Sequence, residues 1–489
     1  MINIILTLYT ILLVVLFFYS LHSFVLLYLY YKFRHRPERK VKRLVKYPNV
    51  TVQLPIYNEK FVVHRLLKSV IELDYPKSKL EIQVLDDSND ETCDIVARLV
   101  SEYRKQRFNI HHIRRGSREG YKAGALQYGL SRAKGDFIAI FDADFVPSPN
   151  FLKELLPEFD SPMVAGVQSR WAHLNHDDSL LTRAQAIGLD NHFAMEQTLR
   201  FNAGFFINFN GTCGIWRKEA IADAGGWHSD TLAEDLDLSY RVQLKGWKIR
   251  FRDDFSVLGE LPASAESFKI QQNRWAKGTI QVARKLLSQV LRARMGKLAK
   301  YEAFVHLTCH VNFLALLGLA LFSPIIVYFK VENIVANGYF VFASFFTIGA
   351  VGYPYLYFLS QRELYPDYRR RIPFIAGVVA YSMGLSVSNS LALFEGWLNR
   401  KNVFRRTPKS GGELRGYRVD SKSIVPFIEI LIGIYVFTAL VYVIVNLQLI
   451  LIPFLLFYSF GFLSLGFLSI KDKIVALEPR EVLCSRESS

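Results

Sequence analysis

Cysteine is scarce in this sequence, and the few cysteines carry no recognisable pattern. Four occur among 489 residues, and no two share the C-x-x-C spacing of a zinc or redox site. The sequence therefore indicates neither a disulfide framework nor a cysteine-bound metal cluster. The four are Cys93, Cys213, Cys309 and Cys484.

Two further features are missing, and each disfavours a class of protein. No Lys or Arg precedes the first apolar stretch and no small-residue cleavage site follows it, which disfavours a cleaved signal peptide. The G-x-x-x-x-G-K-[ST] spacing of a P-loop is also absent. The segment 121–125 instead offers small residues for close backbone approach and Lys122 as a cation for a phosphate. A helix start packed on a sheet explains the same residues equally well.

Apolar residues are abundant, and they are concentrated in long stretches. The chain is 51% hydrophobic, which is too apolar for an entirely water-facing protein. Five stretches each approach the roughly 20 residues that a helix needs to cross a bilayer. We therefore expect a multi-pass membrane protein whose first 32 residues form a retained anchor with its N-terminus outside. The stretches span about 3–31, 303–329, 338–360, 424–446 and 448–470.

The net charge of +16 is concentrated at the flanks of these stretches. Windows at 32–46, 281–300 and 397–418 carry net charges of +7, +6 and +6. Positive residues beside membrane spans mark the cytoplasmic side, where they face anionic lipid. We therefore expect contact with membrane lipid and not with nucleic acid.

Between the first two spans, about 270 residues alternate between strand and helix patterns. Runs at 50–54, 80–85 and 137–141 are rich in strand-forming residues, and apolar residues recur at helical spacing over 62–71 and 95–103. This alternation predicts an α/β domain with a mostly parallel sheet covered by helices. In such sheets, ligands bind beyond the carboxyl ends of the strands.

A sixth apolar stretch, about 373–396, is predicted to lie in the membrane interface. As a full span it would place the basic segment 400–418 outside, against the positive-inside bias. Ser386 and Asn389 also belong to a polar stripe at about helical spacing. The last two spans then form a hairpin, and the tail at 471–489 lies inside.

Four acids fall where strands are predicted to end. Asp142 and Asp144 suit a hard divalent cation, Mg²⁺ or Mn²⁺, that bridges the two phosphates of a sugar nucleotide. A solvated strand-to-turn pair is the plain alternative. Asp86 and Asp87 can bond the base or ribose of the nucleotide, although capping of the next helix by Ser88 explains that segment too.

Two other groups supply a ring and further acids. Tyr57 and Glu59 follow the first strand and can place a ring and a carboxylate near the nucleotide, although a Pro-Asn turn is the simpler explanation. Glu234, Asp235 and Asp237 stand beside apolar residues. An inverting transfer needs a base for the proton of the acceptor hydroxyl, and Asp235 is the predicted base. A capped, solvated first helical turn is the alternative.

A third group combines an amide, a cation and a flat ring. Gln271 and Arg274 suit a diphosphate, and a sugar can stack on Trp275. A Trp-Arg pair that anchors a helix to the membrane is the alternative, because an apolar span begins about thirty residues later.

In chain order, these residues resemble a known signature. They are similar to the D, D-x-D, T/V-E-D and Q-x-x-R-W motifs of processive family-2 glycosyltransferases, the group of cellulose, chitin and hyaluronan synthases. The resemblance covers about 48–470, and Ala233 departs from the usual Thr or Val. A segment near the C-terminus is also similar to the F-x-x-T-P-K gating loop of the cellulose synthase branch. Its residues are Phe404, Arg406, Thr407, Pro408 and Lys409.

The resemblance implies a cytoplasmic GT-A domain, with a Rossmann-like mixed sheet, inserted in a helical transmembrane domain. The implied parts are an anchor at 1–32, a catalytic domain at 48–285, a channel domain at 300–470 with a gating loop at about 398–423, and a cytoplasmic tail at 471–489. By resemblance, Asp86 and Asp87 would hold the nucleotide, Asp142 and Asp144 the metal and diphosphate, Asp235 the acceptor hydroxyl, and Trp275 the terminal sugar of the growing chain. With the residues argued above, we expect the donor side to comprise Tyr57, Glu59, Asp86, Asp87, Lys122, Asp142, Gln271 and Arg274. We expect Glu234 beside Asp235 as the catalytic pair, and Trp171 beside Trp275 on the acceptor side.

Finer stretches resemble the plant cellulose-synthase-like A and C group, whose members make β-1,4-mannan, glucomannan or glucan. They are 141–145, 167–171, 209–212 and 244–247. We therefore expect processive, inverting transfer of a hexose from GDP-mannose or UDP-glucose to a growing polysaccharide that passes through the membrane helices. The membrane would be the plasma or inner membrane, or the Golgi in a eukaryote. A glycolipid-forming transferase and a non-catalytic membrane scaffold are the alternatives.

Overall fold

The computed structural model describes residues 1–33, 44–398, 406–407, 409 and 423–477. The strands are β1 (Val50–Ile56), β2 (Leu80–Asp86), β3 (Ile110–Ile113), β4 (Phe137–Ile140), β5 (Phe145–Val146), β6 (Val164–His173), β7 (Gly214–Arg217) and β8 (Lys248–Gly259). The α-helices of the water-facing part and the first span are α1 (Ile2–Phe33), α2 (Val63–Ile71), α3 (Thr92–Lys105), α4 (Tyr121–Leu130), α5 (Phe151–Leu155), α6 (Leu180–Asn191), α7 (Thr198–Asn202), α8 (Lys218–Asp223), α9 (Glu234–Leu244) and α10 (Ala265–Arg292). The remaining α-helices are α11 (Lys297–Thr308), α12 (Asn312–Val331), α13 (Asn337–Phe345), α14 (Gly349–Leu364), α15 (Ile375–Gly384), α16 (Ser386–Trp397), α17 (Val425–Val445) and α18 (Ile452–Leu477). A π-helical segment, His192–Gln197, joins α6 to α7.

The eight strands form one mixed sheet in the order β3-β2-β1-β4-β7-β6-β8-β5. The first four run parallel, as the strand and helix alternation predicts. The other half departs from a mostly parallel sheet, because β7 is antiparallel to both of its neighbours and β5 is antiparallel to β8. The sheet thus has the mixed form that the family resemblance implies.

The central strand β1 shows why this segment forms a buried strand. Val50, Val52 and Leu54 alternate along it and are almost fully buried in one apolar core. Between them, Thr51 donates a hydrogen bond of 2.7 Å to Glu81, and Gln53 donates one of 3.1 Å to Gln83 on the neighbouring strand. Polar side chains on the second face are therefore hydrogen-bonded to the neighbouring strand, which lets both faces of β1 be covered.

Five helical segments are long and apolar enough to cross a membrane within the part of the chain that the structure describes. They correspond to the five apolar stretches of the sequence, and the chain is membrane-embedded. The segments are Ile2–Phe33, Lys297–Val331, Asn337–Leu364, Val425–Val445 and Leu449–Val475.

The sixth apolar stretch differs from the single helix that its periodicity predicts. It contains α15 and α16, and the segments Tyr368–Gly384 and Ser386–Trp397 are bent by 47°. Gly384 packs so closely on α18 that an added Cβ would lie 2.4 Å from the Gly461 carbonyl oxygen. The helix therefore breaks where it contacts a neighbouring helix, a tertiary effect that helical spacing does not report. Its position in the membrane interface remains a prediction.

The helix α10 connects the sheet domain to the apolar helices. Asn273 donates a hydrogen bond of 3.1 Å to the Ser388 carbonyl, and Arg284 donates one of 3.0 Å to the Gly396 carbonyl. Lys269 forms a buried ion pair of 3.1 Å with Glu429 of α17. The helix that carries the Q-x-x-R-W motif is thus fixed at both ends to the membrane part.

Candidate active site

A cleft lies beyond the carboxyl ends of β1, β2 and β4, where the parallel half of the sheet predicts a ligand site. Its volume is about 170 Å³. Most of the predicted site residues line it: Tyr57, Glu59, Asp87, Lys122, Asp142, Asp144, Trp171, Glu234, Asp235, Gln271, Arg274, Trp275, Arg406, Thr407 and Lys409. Asp86 does not line the cleft, and Phe404 and Pro408 lie outside the described residues.

Asp86 is buried at the end of β2, behind the cleft wall. The Ser88 backbone N–H donates to it at 2.9 Å, and the His112 ring lies 2.8 Å from its other oxygen. Burial alone would raise the pKa of Asp86, but the hydrogen bonds from His112 and Ser88 hold it below its ordinary value. Asp86 therefore fixes the loop that presents Asp87, and a direct contact with a nucleotide stays a prediction.

Asp87 faces the cleft beside two arginines that the sequence motifs do not include. Arg115 donates to both Asp87 oxygens, at 2.8 and 2.5 Å, and also to the Tyr121 carbonyl at 2.9 Å. Arg118 lies 3.3 Å from the centre of the Tyr57 ring. Both arginines follow β3, a parallel strand of the same sheet, and that position is the signal by which the sequence could have revealed them.

The first acid of the D-x-D motif is paired with the predicted phosphate-binding lysine. Lys122 lies 2.5 Å from Asp142 and 3.8 Å from Glu234, and it donates to the Gly211 carbonyl at 3.1 Å. Burial alone would lower the pKa of Lys122, but Asp142 and Glu234 raise it overall. The lysine is therefore held protonated between the donor-side acid and the catalytic segment.

Asp142 and Asp144 have the chemistry of a divalent-cation site. Burial, joined by the charge of Asp144, raises the pKa of Asp142 despite the contact with Lys122. Asp144 forms an ion pair with Lys409, whose ammonium nitrogen lies 2.7 Å from an Asp144 oxygen. Two half-buried carboxylates, each paired with a lysine, supply the hard oxygen ligands that Mg²⁺ and Mn²⁺ prefer. The two residues therefore fit a bound divalent cation.

Glu59 pairs with a residue of the predicted gating loop. Arg406 donates to its two oxygens at 2.7 and 2.5 Å. Burial raises the pKa of Glu59 to about 7, although the Arg406 charge opposes that shift. Lys409 also donates to the Glu260 carbonyl at 2.6 Å. Arg406 and Lys409 are thus held against the rim of the cleft by opposite charge.

Asp235 stands at the start of α9 and lines the same cleft as the donor-side acids. The Leu236 backbone N–H donates to it at 2.8 Å. Gly211 approaches it so closely, with φ of +78°, that an added Cβ would lie 2.9 Å from an Asp235 oxygen. Burial, and then the negative charge of Glu234, raise the pKa of Asp235 to about 7. The carboxylate is therefore poised to exchange a proton near neutral pH.

Aromatic rings form the wall between this cleft and a second, inner cavity. Trp275 and Trp171 line both spaces. Trp171 packs on Phe145 and Phe193 with ring centres 5.0 and 5.1 Å apart. Its buried indole N–H has no hydrogen-bond partner among the described residues. It can therefore donate to a ligand placed between the two spaces.

The inner cavity extends from the cleft into the membrane helices and has a volume of about 350 Å³. It shares Asn210, Asp235 and Gln271 with the cleft. Two of its polar residues come from the π-helical segment, a type of distortion that is frequent at functional sites. His192 lies 3.2 Å from Glu196 and 3.0 Å from Asn210. None of the sequence motifs points to His192 or Glu196.

Comparison with known proteins identifies a matching family and a relative that is similar over most of the chain. Residues 48–278 match the family model described as glycosyltransferase like family 2. Over 482 residues the chain is 32% identical to glucomannan 4-beta-mannosyltransferase 7 of Arabidopsis thaliana, which covers 93% of this chain and 84% of that protein. Glucomannan 4-beta-mannosyltransferase 1 of Oryza sativa subsp. japonica is 40% identical over 251 residues, covering 50% of this chain and 48% of that protein.

A solved structure supports the fold. The mannosyltransferase PcManGT from Pyrobaculum calidifontis, in complex with GDP-Man and Mn²⁺, superposes with a TM-score of 0.56 at 19% identity. The match covers 81% of this chain and 100% of that chain. At this identity the likeness shows the GT-A fold of the sheet domain with its attached helices.

Proposed function

Because this chain belongs to the glycosyltransferase like family 2 and is a hexosyltransferase, we propose that it makes a β-1,4-linked mannan or glucomannan processively and with inversion. The proposed donor is GDP-mannose, with UDP-glucose as the alternative donor. The observation that carries the proposal is the inner cavity, which continues from Asp235 and Trp275 into the membrane helices. The choice of sugar is supported by the Arabidopsis and rice relatives, which are both named glucomannan 4-beta-mannosyltransferases.

The donor would bind in the cleft by its charges. The base and ribose would bind to one wall of the cleft. That wall contains the Asp87–Arg115 pair and the stacked Tyr57 and Arg118. Lys122 supplies a cation for the diphosphate. Asp142 and Asp144 would hold Mg²⁺ or Mn²⁺, which when bound neutralises the diphosphate as it leaves. A solved relative in the same fold carries GDP-Man and Mn²⁺, which supports this assignment.

The transfer step would use Asp235 as general base. The acceptor hydroxyl gives its proton to the Asp235 carboxylate while its oxygen forms a bond to the anomeric carbon. The bond from that carbon to the diphosphate oxygen breaks on the opposite side, and the nucleoside diphosphate leaves with the bonding electrons. One displacement inverts the anomeric configuration, so an α-linked donor gives a β-linked product. A carboxylate with a pKa of about 7 is suited to this exchange.

The acceptor would enter from the membrane side. Sugar rings can stack on Trp275 and Trp171, and the indole N–H of Trp171 can donate to a hydroxyl. The inner cavity has a volume of about 350 Å³, within the roughly 300–1,000 Å³ typical of a ligand site, so it has room for bound sugar next to Trp275. His192 and Glu196 would bond the hydroxyls of the inner sugars.

The proposed organisation follows from this path. Residues 1–32 would anchor the chain, residues 48–285 would form a cytoplasmic catalytic domain, and residues 300–470 would form the channel for the polymer, ahead of a cytoplasmic tail at 471–489. The basic windows beside the spans support the cytoplasmic placement. The described gating-loop residues, Arg406, Thr407 and Lys409, would close over the donor from the rim where they lie.

Of the two alternative functions, one is excluded and one uses the same donor site. The non-catalytic scaffold is wrong, because the family and the long mannosyltransferase relatives show a hexosyltransferase. A glycolipid-forming transferase that adds a single sugar uses the same donor chemistry, and only its product distinguishes it.

Product size and donor competition test the proposal. Membranes that contain the protein, supplied with Mn²⁺ and labelled GDP-mannose, should form a high-mass polymer that β-1,4-mannanase degrades. Unlabelled GDP-mannose should suppress labelling far more than unlabelled UDP-glucose does. Label that is recovered only as a single sugar on an organic-extractable lipid would contradict the proposal and favour the glycolipid alternative.

A further inference from the structure

One face of α10 carries more than the acceptor platform. Gln271, Arg274 and Trp275 occupy this face near the start of the helix. Gly278, Gln281 and Lys285 follow at intervals of three and four residues, so they lie on the same face over the next two turns. These three residues contact the segment 231–237, which contains the predicted base.

Gly278 sets the closest approach between the two elements. A Cβ added to Gly278 would lie 2.8 Å from the Ala233 Cβ and 2.9 Å from the Ala233 nitrogen. Those distances are too short for two non-bonded atoms, so any side chain at this position pushes α10 away from the residue that directly precedes Glu234.

Gln281 provides a directional contact one turn later. Its side-chain oxygen accepts a hydrogen bond of 2.9 Å from the Leu232 backbone N–H. Gln281 is buried, so water cannot readily replace it as the partner of this N–H. The contact fixes the backbone immediately before α9.

Lys285 provides the third contact through Asp237. Its ammonium lies 2.9 Å from an oxygen of Asp237, whose side chain is fully buried, and 2.8 Å from Asp230. The other Asp237 oxygen accepts a hydrogen bond of 2.7 Å from Arg241. Removal of one cation from a buried carboxylate is strongly unfavourable, so Lys285 holds the first turn of α9 in place.

We propose that Gly278, Gln281 and Lys285 are positioning residues that make α10 a rigid spacer between the base Asp235 and the acceptor platform at Trp275. Neither cavity is lined by any of the three. They therefore act through the two elements and not on the sugars. The inference rests on the proposed function, because it needs an acceptor held at Trp275 and a base at Asp235.

The spacer has a kinetic signature that differs from loss of fold. Most donor-side groups follow β1, β2 and β4 or lie on α4, away from these contacts, and the remaining two, Gln271 and Arg274, precede Gly278 on α10. A shift of Asp235 by about 1 Å relative to the acceptor can lower the rate roughly 100-fold. Weakened spacer contacts should therefore lower kcat and leave the donor KM nearly unchanged.

The first experiment uses the purified full-length enzyme and the donor that the wild type accepts. Lys285→Met should lower kcat roughly 10-fold to 100-fold, with donor KM within about 2-fold of wild type. Lys285→Arg should restore most of the rate, because it keeps a cation near Asp237. The matched control is Lys245→Met, at the far end of α9, where a half-exposed lysine pairs with Asp223 at 3.1 Å.

Three results would overturn the spacer. The first is a Lys285→Met variant that transfers sugar at the wild-type rate. The second is a parallel loss of kcat, donor affinity and Tm in that variant, because such a loss indicates a general structural role. A wild-type enzyme that transfers no sugar contradicts the proposed function and, with it, the spacer. An active wild type with an unaffected Lys285→Met variant contradicts the spacer alone.

A second pair of variants tests the distance between α10 and Ala233 by adding and removing side-chain volume. Gly278→Ala should lower kcat, because its new Cβ collides with the Ala233 Cβ. Adding Ala233→Gly removes that Cβ and should recover part of the rate, although the Ala233 nitrogen still crowds the site. A wild-type rate for Gly278→Ala would contradict the proposal.

Discussion

The outer cleft and the inner cavity meet at Asp235 and Trp275, yet their walls differ in chemistry. In the cleft, acids and cations alternate in close pairs, which are Asp87 with Arg115, Asp142 with Lys122, Asp144 with Lys409, and Glu59 with Arg406. The inner cavity is lined largely by rings, hydroxyls and amides, including Tyr353, Tyr357, Tyr381, Ser382, Gln185 and Gln272. Its Arg200 is buried against Glu302 at 2.6 Å. A charged nucleotide-sugar suits the first space, and an uncharged carbohydrate suits the second.

The largest effect is expected where the two spaces meet. Asp235→Asn removes the base and should lower transfer on the order of 10²- to 10⁴-fold, while donor binding is kept. Steady-state rates and donor affinity of the purified variant check this. Asp253→Asn, at an exposed position, serves as the matched control. A variant that still makes polymer at the wild-type rate would remove Asp235 from the mechanism.

A change confined to the cleft should affect the metal and the donor. Asp144→Asn takes away one hard ligand and should weaken apparent Mn²⁺ affinity roughly 10-fold to 100-fold, with a raised donor KM. Titration of activity with Mn²⁺ measures both quantities, again beside Asp253→Asn. If the titration curves of variant and wild type coincide, the cation is not held at Asp144.

A change confined to the acceptor side should spare the donor. Trp275→Ala removes a surface on which the acceptor sugar stacks. A loss of about 1.4 kcal/mol of stacking free energy corresponds to about a tenfold lower rate. The products should also be shorter. Donor KM should stay near the wild-type value. The control is Trp397→Ala, whose ring is largely exposed on α16. A donor KM that rises as much as the rate falls would break the division between the two spaces.

The smallest expected effect is on pH dependence. A general base works in its deprotonated form, so with a pKa of about 7 for Asp235 the rate should rise as pH increases through 7 and level off above it. Below pH 7 the rate should fall up to tenfold per unit. Glu59 also titrates near 7, and Glu59→Gln tells the two carboxyls apart. A profile that stays flat between pH 6 and 7.5 in the wild type would contradict the assignment.

Much of the catalytic side could be predicted because its signals are local. The strands β1, β2 and β4 follow from short apolar runs, and Asp142 directly follows the last of these. The spacing of Gln271, Arg274 and Trp275 places them on one face of a helix, and the structure has them there. In each case the periodicity of one segment suffices.

The rest depends on contacts between distant segments, which periodicity does not report. Glu59 and Arg406 are 347 residues apart in the chain. The antiparallel strand β7 lies between β4 and β6 in the sheet, but in the chain it follows β6, α6 and α7. The bend between α15 and α16 arises where Gly384 meets α18, and the inner cavity is assembled from helices scattered along the chain.

A pulse and chase with labelled donor tests most directly whether cleft and cavity form one processive path. The purified enzyme in lipid vesicles would receive labelled GDP-mannose briefly, followed by excess unlabelled donor. The account predicts that labelled chains stay bound to the enzyme during the chase and grow to high mass. Labelled products that remain one or two sugars long and are released into lipid or buffer would contradict it.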